Sequence, residues 1–477
     1  MARSDCLAYI LFIVYFGNSE NLMENMEKNE GSKRSFKGFS PTQKLVMGFA
    51  VIILIGWGLL MLPASTVEGE KTTPLNALFT ATSATCVTGL VTYDTSTHWT
   101  RFGQTVILVL IQLGGLGFMS FAVSAAVIAK KKIGLKQREL LQEAVNANQL
   151  GGIVRLFKLI LKGTFICEGV GAVLLAFRFI PMLGVGEGIF YSVFHSVSAF
   201  CNGGFDLMGR YSPFSSLTMF EKDTLVNIVI ILLIVIGGLG FYVWDDVITC
   251  RFKFDRFKLH TKIVAVTTAI LLIVPAVLIF FFERKYSMSD LNTGEAVQAS
   301  LFQSVTLRTA GFNTVDQAAL SDSSWLLSCI LMVIGGSPGS TAGGIKTTTA
   351  AVVILSAVSM IRGRRSVTVF QRRLDDDLIV KVISILSVYM MISFAALMAI
   401  CSLEHLSVKV VCFEVFSAVG TVGLSMGATP MLCPASKIIL IFLMFFGRIG
   451  GLSLAMLFSR PYINSSLTYP VEKISVG

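Results

Sequence analysis

The hexapeptide TCVTGL at residues 85–90 returns three times along the chain, as FCNGGF at 200–205, LRTAGF at 307–312 and VGTVGL at 419–424. Its fifth residue is glycine each time: Gly89, Gly204, Gly311 and Gly423, separated by 115, 107 and 112 residues. The flanks repeat as well. Leu90, Phe205, Phe312 and Leu424 follow the glycines, and Phe79, Phe194, Leu301 and Phe413 stand ten residues before them. Six residues before are Ser83, Ser198, Val305 and Ser417; five before are Ala84, Ala199, Thr306 and Ala418. A period this regular marks a tandem architecture. A glycine pair follows in each copy (Gly114-Gly115, Gly237-Gly238, Gly335-Gly336, Gly450-Gly451) and reads as a helix-packing position.

The surroundings of these segments are apolar. Hydrophobic residues make up 54% of the 477 and charged residues 14%, against about 25% in a soluble domain. That excludes a soluble fold, intrinsic disorder and nucleic-acid binding. Long apolar runs cover about 45–62, 104–129, 153–179, 225–243, 263–282, 325–360, 378–402 and 437–458. Each is long enough to span a bilayer. The stretches 74–90, 187–205, 296–312 and 408–424, which carry the hexapeptides, are too short and too polar to span. The formal charge of +10 gathers between pairs of runs: Lys130, Lys131, Lys132, Lys136 and Arg138; Arg251, Lys253, Arg256, Lys258 and Lys262; Arg362, Arg364, Arg365, Arg372 and Arg373. Basic loops face the cytoplasm, which puts both termini inside and the short stretches on the outer side. Cys6–Phe16 is too short to span and has no cleavage site after it; Met23 and Met26 are alternative starts.

The expected fold is an all-α membrane protein of four tandem helix–pore-helix–helix repeats, eight transmembrane helices around a pseudo-fourfold pore. The boundaries are a cytoplasmic tail at 1–40, repeats at 41–135, 150–250, 258–362 and 374–462, and a C-terminal tail at 463–477. Four half-helices aim their C-termini, each worth roughly half a negative charge, at the axis. Extended backbone at this depth is tolerated where it lines a water-filled path, and rings of carbonyls can replace the hydration shell of a potassium ion. The candidate ion-binding residues are therefore Val87, Thr88 and Gly89; Asn202, Gly203 and Gly204; Thr309, Ala310 and Gly311; and Thr421, Val422 and Gly423.

Other groups stand out. Pro338, with Gly335, Gly336, Gly339, Gly343, Gly344, Ser337, Ser340 and Thr341, interrupts the sixth run before Lys346. A broken helix below the strands reads as a movable constriction; the alternative is a static kink that serves packing. It is no phosphate loop, because Ile345 separates Gly344 from Lys346 and no strand precedes. Arg448 lies inside the last run, where an arginine is costly. It either faces the pore as an electrostatic barrier that pairs with the 335–346 loop, or bonds helix-end carbonyls. Arg308, three residues before Gly311, is expected to point away from the ion path and bond carbonyls or a carboxylate. Glu168 suits a structural hydrogen bond or a proton relay. The nine cysteines and four histidines are scattered and give no metal or disulfide pattern. With no paired carboxylates or Ser/His/Asp set at membrane depth, an enzyme is not expected. A secondary transporter with alternating access is the competing function, disfavoured because the four repeats run in one sense.

TCVTGL, CNGGFDL, RTAGFN and GTVGLSMG resemble the four filter segments of the Ktr/Trk/HKT potassium transporters. GGSPGSTAGGIKTTT (335–349) resembles the intramembrane loop of that family, and FGRIGGL (446–452) its last-helix arginine motif. The match covers about residues 40–465. With eight runs, the chain resembles the KtrB-type subunit more than TrkH. The resemblance implies potassium uptake across the bacterial plasma membrane, a homodimer with one pore per subunit in membrane lipid, and a cytosolic nucleotide-binding regulatory ring of the KtrA/TrkA kind. It assigns the gate to Gly335–Lys346 and Arg448, with potassium as the transported ion and sodium as an activator. Sodium-permeable HKT members carry serine at the first filter glycine, where this chain has Gly89.

Overall fold

A computed structural model describes residues 41–117, 153–364 and 366–450. The tails expected at 1–40 and 463–477, the basic loop Lys130–Arg138, Arg365 and Gly451 lie outside these residues.

Among the described residues, four long helices are each followed by a short helix, an extended segment and one or two further helices. The long helices are α1 (Pro41–Leu60), α5 (Ile153–Leu183), α9 (Leu259–Glu283) and α13 (Asp376–Leu403). The short ones are α2 (Pro74–Thr85), α6 (Val185–Phe200), α10 (Thr293–Thr306) and α14 (Val408–Gly420). The second helices are α4 (Arg101–Leu116), reached through the one-turn α3 (Thr95–His98); α7 (Thr224–Gly238) with α8 (Phe241–Thr249); α11 (Asp322–Val333) with α12 (Thr347–Ile361); and α15 (Pro434–Ile449). A hairpin of β1 (Thr368–Val369) and β2 (Arg372–Arg373) joins α12 to α13.

The four long helices are each long and apolar enough to cross a bilayer. Their exposed faces are apolar: Phe165, Ile166, Val170, Val173 and Phe177 along α5, and Ile270, Ile273, Val274, Val277 and Phe281 along α9. Apolar stripes of this extent would not be left facing water, so this is a helical membrane protein. Among the described residues, counting α7 and α8 as one broken span gives five such elements; α4, α11 and α12 are shorter. The apolar run at 225–243 reads as one straight helix, yet it bends by 91° between α7 and α8. Gly240 makes the bend with φ +93°, and a side chain there would press on the Pro338 carbonyl. The apolar run stays continuous through the bend, so hydropathy does not reveal it.

The short helices hold 12 to 16 residues, under the roughly 20 needed to span. Three start at side-chain caps. Thr73 caps α2 with Pro74 at the first position, Ser407 caps α14, and Asn292 with Glu295 forms a reciprocal capping box on α10. Each short helix is pinned in the core by a fully buried phenylalanine: Phe79, Phe194, Phe302 and Phe413. In the third copy that residue is Phe302, one position later than the sequence alignment places it; Leu301 is 37% exposed.

Candidate functional site

The four extended segments leave their short helices by the same turn. The residue two before each glycine is left-handed: Val87 (φ 55°), Asn202 (60°), Thr309 (64°) and Thr421 (52°). Three of these are β-branched, for which this region is a genuine outlier. The glycines follow with φ of 94°, 67°, 83° and 92°, values that side-chain-bearing residues avoid. All twelve residues singled out in the sequence, from Val87 to Gly423, are buried here.

They also meet. A Cβ placed on Gly89 would strike the carbonyl of Gly203; on Gly204, that of Ala310; on Gly311, that of Val422; and on Gly423, that of Thr88. The contacts run from first to second to third to fourth segment and back to the first. The four strands thus close a cycle, each glycine against the preceding residue's carbonyl in the next strand.

One hydroxyl per strand fixes its shape. Ser83 Oγ accepts from the Gly89 amide and Ser417 Oγ from the Gly423 amide, each at 3.1 Å. Ser198 Oγ donates to the Phe205 carbonyl at 2.8 Å, and Thr306 Oγ1 donates to that of Phe312. The carbonyls of these same four residues accept from Thr88, Gly203, Ala310 and Val422. Thr306, not Val305, is therefore the third copy's equivalent of the serines, and its strand is one residue shorter. A second set of polar residues, beside the anchoring phenylalanines, holds the outgoing loops. His195 Nε2 pairs with the Leu207 amide, Gln303 with Gln317, and Glu414 accepts from Ser425, Met426 and Thr429. These were not singled out in the sequence, although their place next to a recurring aromatic is a usable signal. In the loop after the second strand, burial, and then the nearby charge of Asp94, push Asp206 up to about 7.

The 335–346 segment is non-helical and lies against three of the four strands. Its ends pair as Ile334 with Ile345, and Gly335 N donates to the Ile345 carbonyl at 2.8 Å. Ser337 N and Thr341 N donate to the carbonyls of Gly238 and Gly237 at the end of α7, while Phe241 N of α8 donates to Gly339 O. Ser340 Oγ bonds the Ser337 carbonyl, and Lys346 Nζ bonds that of Ala342. Gly335 packs on Thr309, Gly336 against Ala342, and Gly343 on the Thr421 side chain. Gly344 takes φ +64° and Gly339 +66° around Pro338.

Arg448 bonds both of the partners considered for it. Its guanidinium donates to the Thr341 carbonyl on the loop and to the carbonyls of Gly114 and Gly115 at the end of α4. Arg308 departs from expectation. It is 7% exposed, its Nε has no hydrogen-bond partner among the described residues, and it lines a small cavity of about 10 Å³ with Asn202, Val305 and Gly336. Glu168 is buried and accepts from Gln112 Nε2 at 3.2 Å, with the Cys201 thiol beside it. Of the glycine pairs, Gly114 and Gly237 do pack on the last carbonyls of α2 and α6. In the fourth copy Gly447, on the Val419 carbonyl, takes that place in front of Gly450. Among the described residues no group of histidine, cysteine, aspartate or glutamate could hold a metal ion.

Residues 14–466 match the TrkH family, described as cation transport protein. The chain is 41% identical over 441 residues to the Ktr system potassium uptake protein B of Bacillus subtilis, covering 92% of this chain and 97% of that one. It is 38% identical over 452 residues to the potassium/sodium uptake protein NtpJ of Enterococcus hirae, covering 93% and 99%. The crystal structure of the potassium transporter TrkH from Vibrio parahaemolyticus superposes with a TM-score of 0.70 at 19% identity, over 91% of this chain and 87% of that one, and so shares the fold. The chain belongs to the TrkH/Ktr family of cation transport proteins; it is a multi-pass membrane transporter and not an enzyme.

Proposed function

We propose that this chain is the ion-conducting subunit of a bacterial potassium uptake system. Its eight passes are arranged as four repeats around a pseudo-fourfold pore, with both termini cytoplasmic. Potassium sheds its water against the carbonyls of the four strands and then passes the 335–346 loop and Arg448. The membrane potential supplies about 2.3 kcal/mol per charge per 100 mV. The closed cycle of glycine-to-carbonyl contacts carries this reading: it brings four carbonyl-bearing strands, far apart in sequence, to one place. Potassium uptake in the printed names of both close relatives supports the same cargo. The subunit works as a homodimer under a cytosolic nucleotide-binding ring, with sodium as an activator. An alternating-access transporter is not favoured, since the four patterns run in one sense.

The test is potassium-limited growth of a bacterial strain stripped of its own uptake systems and expressing this chain. Growth restored by the unmodified chain and lost in Gly311→Ala, with both proteins inserted in the membrane, is the expected result. Equal growth with both sinks the carbonyl-strand reading.

A further inference from the structure

Thr341 is the point at which the loop meets the second strand. It is fully buried and uses every polar atom it has. Its amide donates to the Gly237 carbonyl at 3.3 Å, and its carbonyl accepts from Arg448. The single proton of its hydroxyl is shared between two acceptors, the Phe200 carbonyl, the last of α6, at 3.1 Å and Oδ1 of Asn202 at 3.3 Å. Asn202 is the left-handed residue of the second strand, and its Nδ2 reaches Thr309 Oγ1 of the third strand at 3.5 Å. One side chain on the loop therefore braces the exit of a short helix and, through Asn202, the turn that aims two strands. The loop's other contacts with the strands, Gly335 on Thr309 and Gly343 on Thr421, are packing contacts that fix its height without holding a strand's direction.

We propose that Thr341 is a specificity-determining residue: seated under the strands, it holds Asn202 in the geometry that discriminates potassium from sodium, so that loop position and ion selectivity are one coupled equilibrium. Displacing the loop takes away the partner of Asn202 and relaxes the second and third strands. By linkage, an ion that fits the braced strands favours the seated loop. The inference rests on the conduction path proposed above.

The experiment measures potassium and sodium uptake into proteoliposomes for Thr341→Val, which keeps the shape and removes the hydroxyl, and Thr341→Ser, which restores it. Thr341→Cys replaces the valine variant should that one fail to insert. The potassium-to-sodium ratio is expected to fall about fivefold in Thr341→Val, the weight of one buried hydrogen bond, and to recover in Thr341→Ser. In an Asn202→Ala background the valine substitution should change the ratio no further. A rise or fall of both ions by the same factor would make the loop a plug only and overturn the coupling, as would no change in either flux. An unmodified chain that takes up no potassium is a failure of the conduction reading instead, and is scored before any variant.

Discussion

Gly343 lies so close to the Thr421 side chain that no methyl group fits between them. The loop and the fourth strand are therefore packed to contact, and the smallest possible addition has a definite consequence. Gly343→Ala should push the loop off the strands and raise potassium flux through the unregulated protein. Overpacking of this kind costs about 1–3 kcal/mol, so a change on the order of tenfold or more is expected in proteoliposome uptake. A static kink would instead give unchanged or reduced flux.

Gly89→Ser places a Cβ 2.8 Å from the Gly203 carbonyl at a residue with φ +94°. The strand must shift, and the new hydroxyl adds a ligand to the ring. Sodium uptake should rise relative to potassium uptake. A ratio equal to that of the unmodified chain counts against the four-strand filter.

Arg448 separates charge from tethering. A guanidinium near the ion path opposes potassium; at an effective dielectric of 20, unit charges 4 Å apart interact by about 4 kcal/mol. Arg448→Ala should increase uptake at limiting potassium, most clearly without a cytosolic regulator. Arg448→Lys keeps the charge, but a single ammonium does not span carbonyls on both α4 and the loop as the planar fork does. Its uptake should fall between the two. Identical uptake in all three proteins would reduce the arginine to packing.

Thr306→Ala removes the hydroxyl that holds the Phe312 carbonyl. The strand should loosen by about 1 kcal/mol, read as a several-fold loss of potassium-over-sodium discrimination. Thr306→Ser retains the bond. Val305→Ala, at the position the sequence alignment marks as equivalent, should leave discrimination intact.

Asp206 gives a pH dependence. With its pKa raised to about 7, it is mostly charged at pH 8 and mostly neutral at pH 6. A carboxylate beside the strands concentrates cations, so uptake at limiting potassium should be higher at pH 8 on the face proposed as external. Asp206→Asn should flatten that difference. The sign for stability is the reverse: the folded chain keeps a proton that the unfolded chain releases, so stability falls as the pH rises from about 4 to about 7 and levels off above that.

The recurring glycines were legible because each meets a local backbone requirement that few residues satisfy, and the serines because they bond within seven residues. The left-handed turn two before each glycine was not legible, since Val87, Asn202, Thr309 and Thr421 are of three residue types and the three β-branched ones disfavour that conformation. Surrounding contacts impose it. The missing residue in the third strand was hidden because aligning on Gly311 makes Val305 and Leu301 look like tolerated substitutions of Ser and Phe. Only the bonds of Thr306 and the burial of Phe302 reveal the slip.

Among the described residues the loop occurs once, between α11 and α12, and it touches three strands. Four identical chains assembled around an axis would each bring such a loop. Writing the four quarters into a single chain removes that constraint. Each quarter is free to differ, so one can carry the proposed obstruction, another its arginine tether and a third the asparagine proposed to read its position. With the loop as the gate proposed above, the departure from symmetry is what makes room for a moving part.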